Sequence, residues 1–208
     1  MRRSFAVRAG IGFLVAALVL AAVGSLASSG ILNRLDNAAR AAANGVGTPA
    51  ATTFFRAMTK LGSTLVLTIV GAAAILLFAV FRQWRAVWLF CLGMAGQIIL
   101  HHGFKWIFGR NRPESLFGYV VDDSPSFPSG HALASMAVYG LLALLITNRL
   151  DSTVSRAVIW VTAAALILLI GTSRLYFGVH HASDVFAGYV SAGIWVAVVA
   201  SGDDRKRN

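Results

Sequence analysis

Three short segments hold His131, His180, Asp184, Lys105, Arg112 and Arg174, residue types that suit the transfer of a phosphoryl group. The most informative runs Ser173-Arg174, five residues, His180, three residues, Asp184. If a helix begins near His180, the imidazole and the carboxylate share one face, one turn apart. The carboxylate then fixes the tautomer and leaves the other ring nitrogen free as nucleophile or base. Arg174, just before, is placed to hold an anion against that nitrogen. Taken alone, the segment is equally well a helix-start ion pair.

The second segment, Pro128-Ser129-Gly130-His131, opens a long apolar run. Ser129 suits an N-cap, and Gly130 lets backbone N–H groups approach a ligand closely. A helix N-terminus is an anion site, and His131 sits in its first turn. By itself His131 is equally an interfacial histidine. The first segment, Lys105 to Arg112-Pro113, supplies charge around a turn marked by Gly109. Lysine contributes a point charge and arginine a planar fork that matches phosphate. Alone, both cations read as interfacial snorkelling. Together, three cations, a glycine-flanked helix start, two histidines and a carboxylate fit one phosphate, and positioning plus charge stabilisation is what phosphoryl transfer requires. No carboxylate cluster suggests a metal; Asp122-Asp123 reads as a solvated turn.

The elements that must position these residues are membrane helices. The apolar set makes up 57% of the 208 residues and charged residues only 12%, half the usual share of about 25%, and the mean hydropathy is +0.72. That composition excludes a disordered chain, a coiled coil and an ordinary soluble enzyme. The net charge of +10 would suggest nucleic acid on a soluble chain. Here the cations flank apolar runs, where they set orientation, so no nucleic-acid partner is expected. Cys91 is the single cysteine, which excludes a disulfide within the chain.

Six stretches approach the ~20 apolar residues that a spanning helix needs: Ala9 to Asn33, Leu61 to Phe81, Ala86 to Phe104, Ser129 to Asn148, Ala157 to Ser173 and Val185 to Gly202. Arg2, Arg3 and Arg8 before the first, with Ser25-Leu-Ala27 near its end, also resemble a cleaved signal peptide; the length of the uncharged run favours a retained span. Six spans place the N-terminus, Arg82/Arg85, Arg149/Arg156 and Arg205-Lys206-Arg207 on one side. Arg34, Arg40, Arg56, Lys60, Lys105, Arg110, Arg112 and Arg174 lie on the other. With Lys105, Arg112 and Arg174 reserved for a site, the balance is ten cations against five, which puts both termini in the cytoplasm. The alanine-rich stretch Asn33 to Ala43 is an interfacial helix or a plain helical connector, broken by Gly45, Gly47 and Pro49. With no internal repeat or linker, residues 1–208 form one domain: an all-α, six-transmembrane-helix bundle with its polar site at the non-cytoplasmic end.

The three segments together resemble the signature of the type 2 phosphatidic acid phosphatase family: Lys, six residues, Arg-Pro; Pro-Ser-Gly-His; and Ser-Arg, five residues, His, three residues, Asp. All match, in order. The resemblance implies that His180 is the nucleophile, forming a phosphohistidine, and that Asp184 orients it. His131 would be the general acid for the leaving group. Lys105, Arg112, Ser129, Gly130 and Arg174 would hold the phosphate oxygens, and no metal or other cofactor would be needed. The family also includes soluble acid phosphatases and haloperoxidases, which the six apolar runs disfavour.

His101, His102 and His181 lie outside the signature and read as local hydrogen-bonding groups. Tyr176 and Trp106 read as interfacial aromatics, and Glu114 as a surface partner of Arg110 or Arg112. The expected activity is hydrolysis of a lipid phosphate or pyrophosphate at a bacterial inner membrane. Candidate substrates are undecaprenyl pyrophosphate, phosphatidylglycerophosphate and phosphatidic acid. A phosphoryl transferase with the same signature is the alternative. A phosphate transporter is disfavoured, because the spans are nearly free of charge through their centres.

Overall fold

A computed structural model describes residues 2–120 and 123–203. Among them are eight α-helices and no strand: α1 (Arg2–Ser28), α2 (Asn33–Gly45), α3 (Pro49–Leu61), α4 (Thr64–Val80), α5 (Trp84–Phe108), α6 (Gly130–Thr147), α7 (Thr153–Tyr176) and α8 (Ala182–Ala200). Five of them, α1, α5, α6, α7 and α8, are long and apolar enough to cross a bilayer. The α3–α4 pair, bent by 47° at the Gly62-Ser63 break, makes a sixth if it counts as one span. The chain is an integral membrane protein. Of the cations used above to orient it, Arg205, Lys206 and Arg207 lie outside the described residues, as does Asp122 of the acidic pair; Asp123 is exposed.

Boundaries differ from expectation in three places. The first span ends at Ser28, because Gly30, at φ 81°, turns the chain before α2. The long connector that follows is two helices rather than one helix and a loop: Thr48 caps α3 by accepting from the Ala51 N–H, with Pro49 at the first helical position. The third span runs on to Phe108, where Gly109 closes it in the left-handed region at φ 51°, its N–H bonded to the Lys105 carbonyl.

The bundle centres on α6 and α8, with 56% of each spanning window buried against 22–28% for α1, α5 and α7. Lipid offers no hydrophobic drive for helices to associate, so close packing at small residues carries the contacts. Gly93 lies against Leu141, and Gly96 against Trp195, whose indole N–H bonds the Gly93 carbonyl at 3.0 Å. Gly12 admits Val198 to join α1 to α8. At the end away from the candidate site, Arg85 bonds the Gly202 carbonyl and Arg149 bonds Gln83, with Asp203 3.5 Å away.

Candidate active site

His180 sits in the turn between α7 and α8, not on α8 as its spacing suggested. Gly178, at φ 63°, reverses the chain after Phe177. His181, in extended conformation, is the N-cap of α8, which makes Asp184 its third residue. The carboxylate therefore reaches back: its Oδ2 accepts from the His181 backbone N–H at 2.8 Å and stands 3.5 Å from His180 Nδ1. The pair meets through capping geometry rather than one turn along a helix face.

Asp184 is fully buried and saturated with donors. Ser126 Oγ donates to Oδ2 and lies 3.4 Å from His180 Nδ1. Arg110 Nη1 donates to Oδ1 at 2.6 Å. The other arm of Arg110 reaches Asp36 Oδ2 at 2.8 Å, and Asp36 accepts from the Ser183 N–H and Oγ, both at 2.9 Å. Asp36 lies on α2, so a buried carboxylate–guanidinium–carboxylate bridge ties that helix to the start of α8.

On its other edge, His180 Nε2 stands 3.1 Å from Arg112 Nη1. A guanidinium only donates, so Nε2 must accept, which puts the ring proton on Nδ1 facing Asp184 and Ser126. Burial pushes the His180 imidazole down to about 4. The Asp184 carboxylate opposes that shift, and Arg174 and Arg112 reinforce it. The ring is thus neutral near pH 7, with its lone pair directed at the cations. Arg112 is fixed by the Ser124 carbonyl (2.8 Å) and hydroxyl (2.9 Å) and by the Val179 carbonyl (2.9 Å). Lys105 Nζ bonds the same Ser124 hydroxyl at 2.8 Å. Arg174 is buried, donates to Thr59 Oγ1 at 2.6 Å and to the Tyr119 hydroxyl at 3.1 Å, and lies over the Tyr119 ring.

Ser129 is the N-cap of α6, as expected, yet its hydroxyl makes no capping bond and is buried with no hydrogen-bond partner among the described residues. Its N–H instead donates to the Asp184 carbonyl at 3.2 Å, docking α6 onto α8. Gly188 permits that approach: a side chain there would stand 3.1 Å from the Ser129 carbonyl. Gly130 faces His101, whose Nε2 would be 2.7 Å from any Cβ. A cavity of about 800 Å³ opens beside these groups, and His180, Arg112, Lys105, Arg174, Gly130 and His131 all line its polar end. Seven of the eight residues singled out from sequence thus meet around one space or directly support it, and Ser129, fully buried, adjoins the lining residue Gly130.

Four participants escaped sequence reasoning: Asp36, Arg110, Ser124 and Ser126. Asp36, Arg110 and Ser126 act across long stretches of chain and Ser124 across 12 and 19 positions, and only Asp36, a carboxylate in an otherwise alanine-rich helix, carried any local signal. Arg110 pairs with Asp36 and Asp184 rather than with Glu114. Tyr176 is buried, not interfacial: it stacks on Phe55 and Phe117 at 4.5 and 4.6 Å and shares a 2.7 Å hydrogen bond with Thr52. Trp106 is exposed as expected, and His181 Nδ1 lies 3.9 Å from Asp36.

Known proteins share this architecture. The chain is 34% identical over 104 residues to phosphatidylglycerophosphatase B of Bacillus subtilis, which is 49% of each protein. It is 28% identical over 130 residues to undecaprenyl-diphosphatase of Sulfolobus acidocaldarius, which is 60% of this chain and 58% of that one. The chain thus spans about half the length of the curated relatives it matches. Its structure resembles that of a transmembrane PAP2 type phosphatidylglycerolphosphate phosphatase from Bacillus subtilis with a TM-score of 0.77 and 25% identity, over 94% of this chain and 97% of that one. The fold of Aquifex aeolicus LpxE is similar with a TM-score of 0.59, at 22% identity over 80% of this chain and 95% of that one. A profile of the PAP2 superfamily matches residues 86–207, more than half of the sequence and all three motif segments, and the chain belongs to that superfamily.

Proposed function

We propose that the protein is a membrane lipid phosphatase that removes phosphate from a lipid phosphate or pyrophosphate through a phosphohistidine on His180. The observation that carries this reading is the polarity of the His180 ring. Its Nδ1 is held by Asp184 and Ser126, and its Nε2 faces a cation-lined cavity. A phosphate drawn in by Lys105, Arg112 and Arg174 meets the Nε2 lone pair. As the N–P bond forms, the bond from phosphorus to the leaving oxygen breaks. Asp184 stabilises the imidazolium charge that develops. His131, at the free N-terminus of α6, gives its proton to the leaving oxygen. It then takes a proton from the water that attacks phosphorus, releasing inorganic phosphate and restoring Nε2. Each step is supplied by side chains, without metal or cofactor.

The same cavity continues between α4, α5 and α6 past Leu67, Ile75, Phe90, Met94 and Val138. That slot suits an apolar tail entering from the bilayer, with undecaprenyl pyrophosphate, phosphatidylglycerophosphate and phosphatidic acid as candidates. A transferase would use the same groups and differ in the acceptor. The site belongs on the non-cytoplasmic face, with the termini cytoplasmic. Arg110 joins the site residues, which leaves Arg34, Arg40, Arg56 and Lys60 as the orienting cations on that side.

The test is phosphate release from these three lipids by detergent-purified wild type and His180→Ala, with EDTA present. Release that EDTA leaves intact and His180→Ala abolishes supports the reading. Release that survives His180→Ala, or that EDTA stops, refutes the mechanism.

A further inference from the structure

Lys105, Arg112 and Arg174 face the phosphate, yet each already holds a neutral oxygen at the cavity wall. Ser124 Oγ accepts from Lys105 Nζ at 2.8 Å and from Arg112 Nη2 at 2.9 Å. The Tyr119 hydroxyl accepts from Arg174 Nη1 at 3.1 Å. Ser124 and Tyr119 belong to the connector between α5 and α6, and both line the cavity with His180 and His131. The two arginines have other partners behind that wall. Arg112 Nη1 donates to the Val179 carbonyl and Arg174 Nη1 to Thr59 Oγ1. Val179 and Thr59 are buried, and neither is among the residues that line the cavity.

A ligand acts differently on the two sets. Cations drawn out of water need acceptors whether or not an anion is present. A partner behind the wall stays when the site fills, whereas a partner on the wall stands where the anion must come. Ser124 Oγ spends both of its acceptor lone pairs on two cations. A phosphate oxygen lodged between Lys105 and Arg112 would make the same two bonds. With charge on both donor and acceptor, such bonds are stronger than those to a neutral hydroxyl. Rotation about one side-chain torsion withdraws Ser124 Oγ from both cations. Tyr119 is half-buried beside the exposed Val120.

We propose that Ser124 and Tyr119 are placeholders, whose hydroxyls occupy in the resting enzyme the positions that two oxygens of the substrate phosphate take on binding. This rests on the phosphatase reading and adds to it two positioning residues that compete with phosphate rather than hold it. Before substrate arrives, the hydroxyls satisfy the three cations and keep them in place. After hydrolysis, they compete with inorganic phosphate for the same donors and favour its release.

The experiment measures the affinity of inorganic phosphate for the detergent-purified full chain, from the shift of its thermal midpoint with phosphate concentration. Phosphate release from the three candidate lipids is followed in the same preparations. Ser124→Ala keeps the backbone carbonyl that binds Arg112 Nε, and Tyr119→Phe keeps the ring stacked on Phe177. Each should tighten phosphate binding by about three- to tenfold, the effect of one hydrogen bond that binding no longer breaks. Ser124→Thr retains the hydroxyl and should bind as wild type does. Thr59→Val cuts a partner behind the wall and should weaken binding. If Ser124→Ala does not fold, Tyr119→Phe decides alone. Binding that is unchanged or weaker in the folded variants of Ser124 and Tyr119, or tightening that Thr59→Val shares, overturns the proposal, while lipid turnover by wild type keeps the phosphatase reading. A folded wild type that neither binds phosphate nor releases it from any of the lipids overturns both.

Discussion

Arg110 divides its charge between Asp36 and Asp184, so each end of the bridge should tune His180 in an opposite sense. Asp36→Asn keeps the shape of the side chain and removes one negative charge. Arg110 then remains 2.6 Å from Asp184 with its own charge less compensated, which disfavours a protonated His180. Two ion-pair contacts and a guanidinium separate Asp36 from the imidazole. At roughly 10 Å and an effective dielectric of ~20, a unit charge there is worth ~1.7 kcal/mol, about one pKa unit. The His180 value of about 4 should fall by about one unit. Arg110→Gln removes the nearer, positive charge and should raise it by at least about one unit. The assay is kcat/KM for phosphate release across the acid range, with short incubations and the folded fraction followed by thermal unfolding in detergent. Breaking a buried pair costs ~3–5 kcal/mol when it strands a charge, but in Asp36→Asn the guanidinium keeps Asp184, so the protein should still fold. Arg112, Arg174, His131 and His101 also surround His180 and are unchanged in both variants. Acid limbs that move in the same direction, or do not move while rates fall at every pH, would refute the electrostatic argument and leave the bridge a purely structural brace.

Arg174→Lys loses the planar guanidinium whose Nη1 donates to both Thr59 and Tyr119 and should lower kcat/KM by about 10- to 100-fold, the effect of a lost charge-assisted hydrogen bond; wild-type kinetics would remove Arg174 from the phosphate site. In Gly130→Ala the new methyl would lie 2.7 Å from His101 Nε2 and should cost ~1–3 kcal/mol by overpacking. Adding His101→Ala should restore the thermal midpoint, and no recovery would mean the strain lies elsewhere. Because folding depresses the His180 value from 6.5 to about 4, the unfolded chain binds the extra proton within that window. Stability should therefore rise with pH from about 4 to 6.5, with a shallower slope in His180→Ala. An equal slope in the two proteins would contradict the burial argument.

The apolar runs and the three motif segments are local properties of the chain, and both were legible. A run of uncharged residues long enough to cross a bilayer has to form a helix there, because the backbone has no other way to satisfy its hydrogen bonds. Lys105, Arg112, Ser129, Gly130, His131, Arg174, His180 and Asp184 were recognisable because their types and spacing repeat a pattern. The contact of His180 with Asp184 was foreseen, but its geometry was not. The helix-face argument failed because His181 caps α8 and sets His180 one residue outside it. The Gly62-Ser63 bend and helix α3 were also missed, since a short amphipathic helix against α7 draws its stability from packing rather than from its own sequence.

What the sequence by itself determined is the membrane bundle and the candidate site residues, since hydropathy and motif spacing are written residue by residue. Only the tertiary structure decided which residues support that set. Asp36 and Arg110 lie 74 positions apart, as do Arg110 and Asp184. Ser126 reaches Asp184 over 58 positions, and Thr64 and Thr68 of α4 line the same cavity as Gln97 and His101 of α5 only once those helices pack. Their partners are chosen by burial, where a polar group left unpaired is costly and the fold must bring it a neighbour or leave room for a ligand.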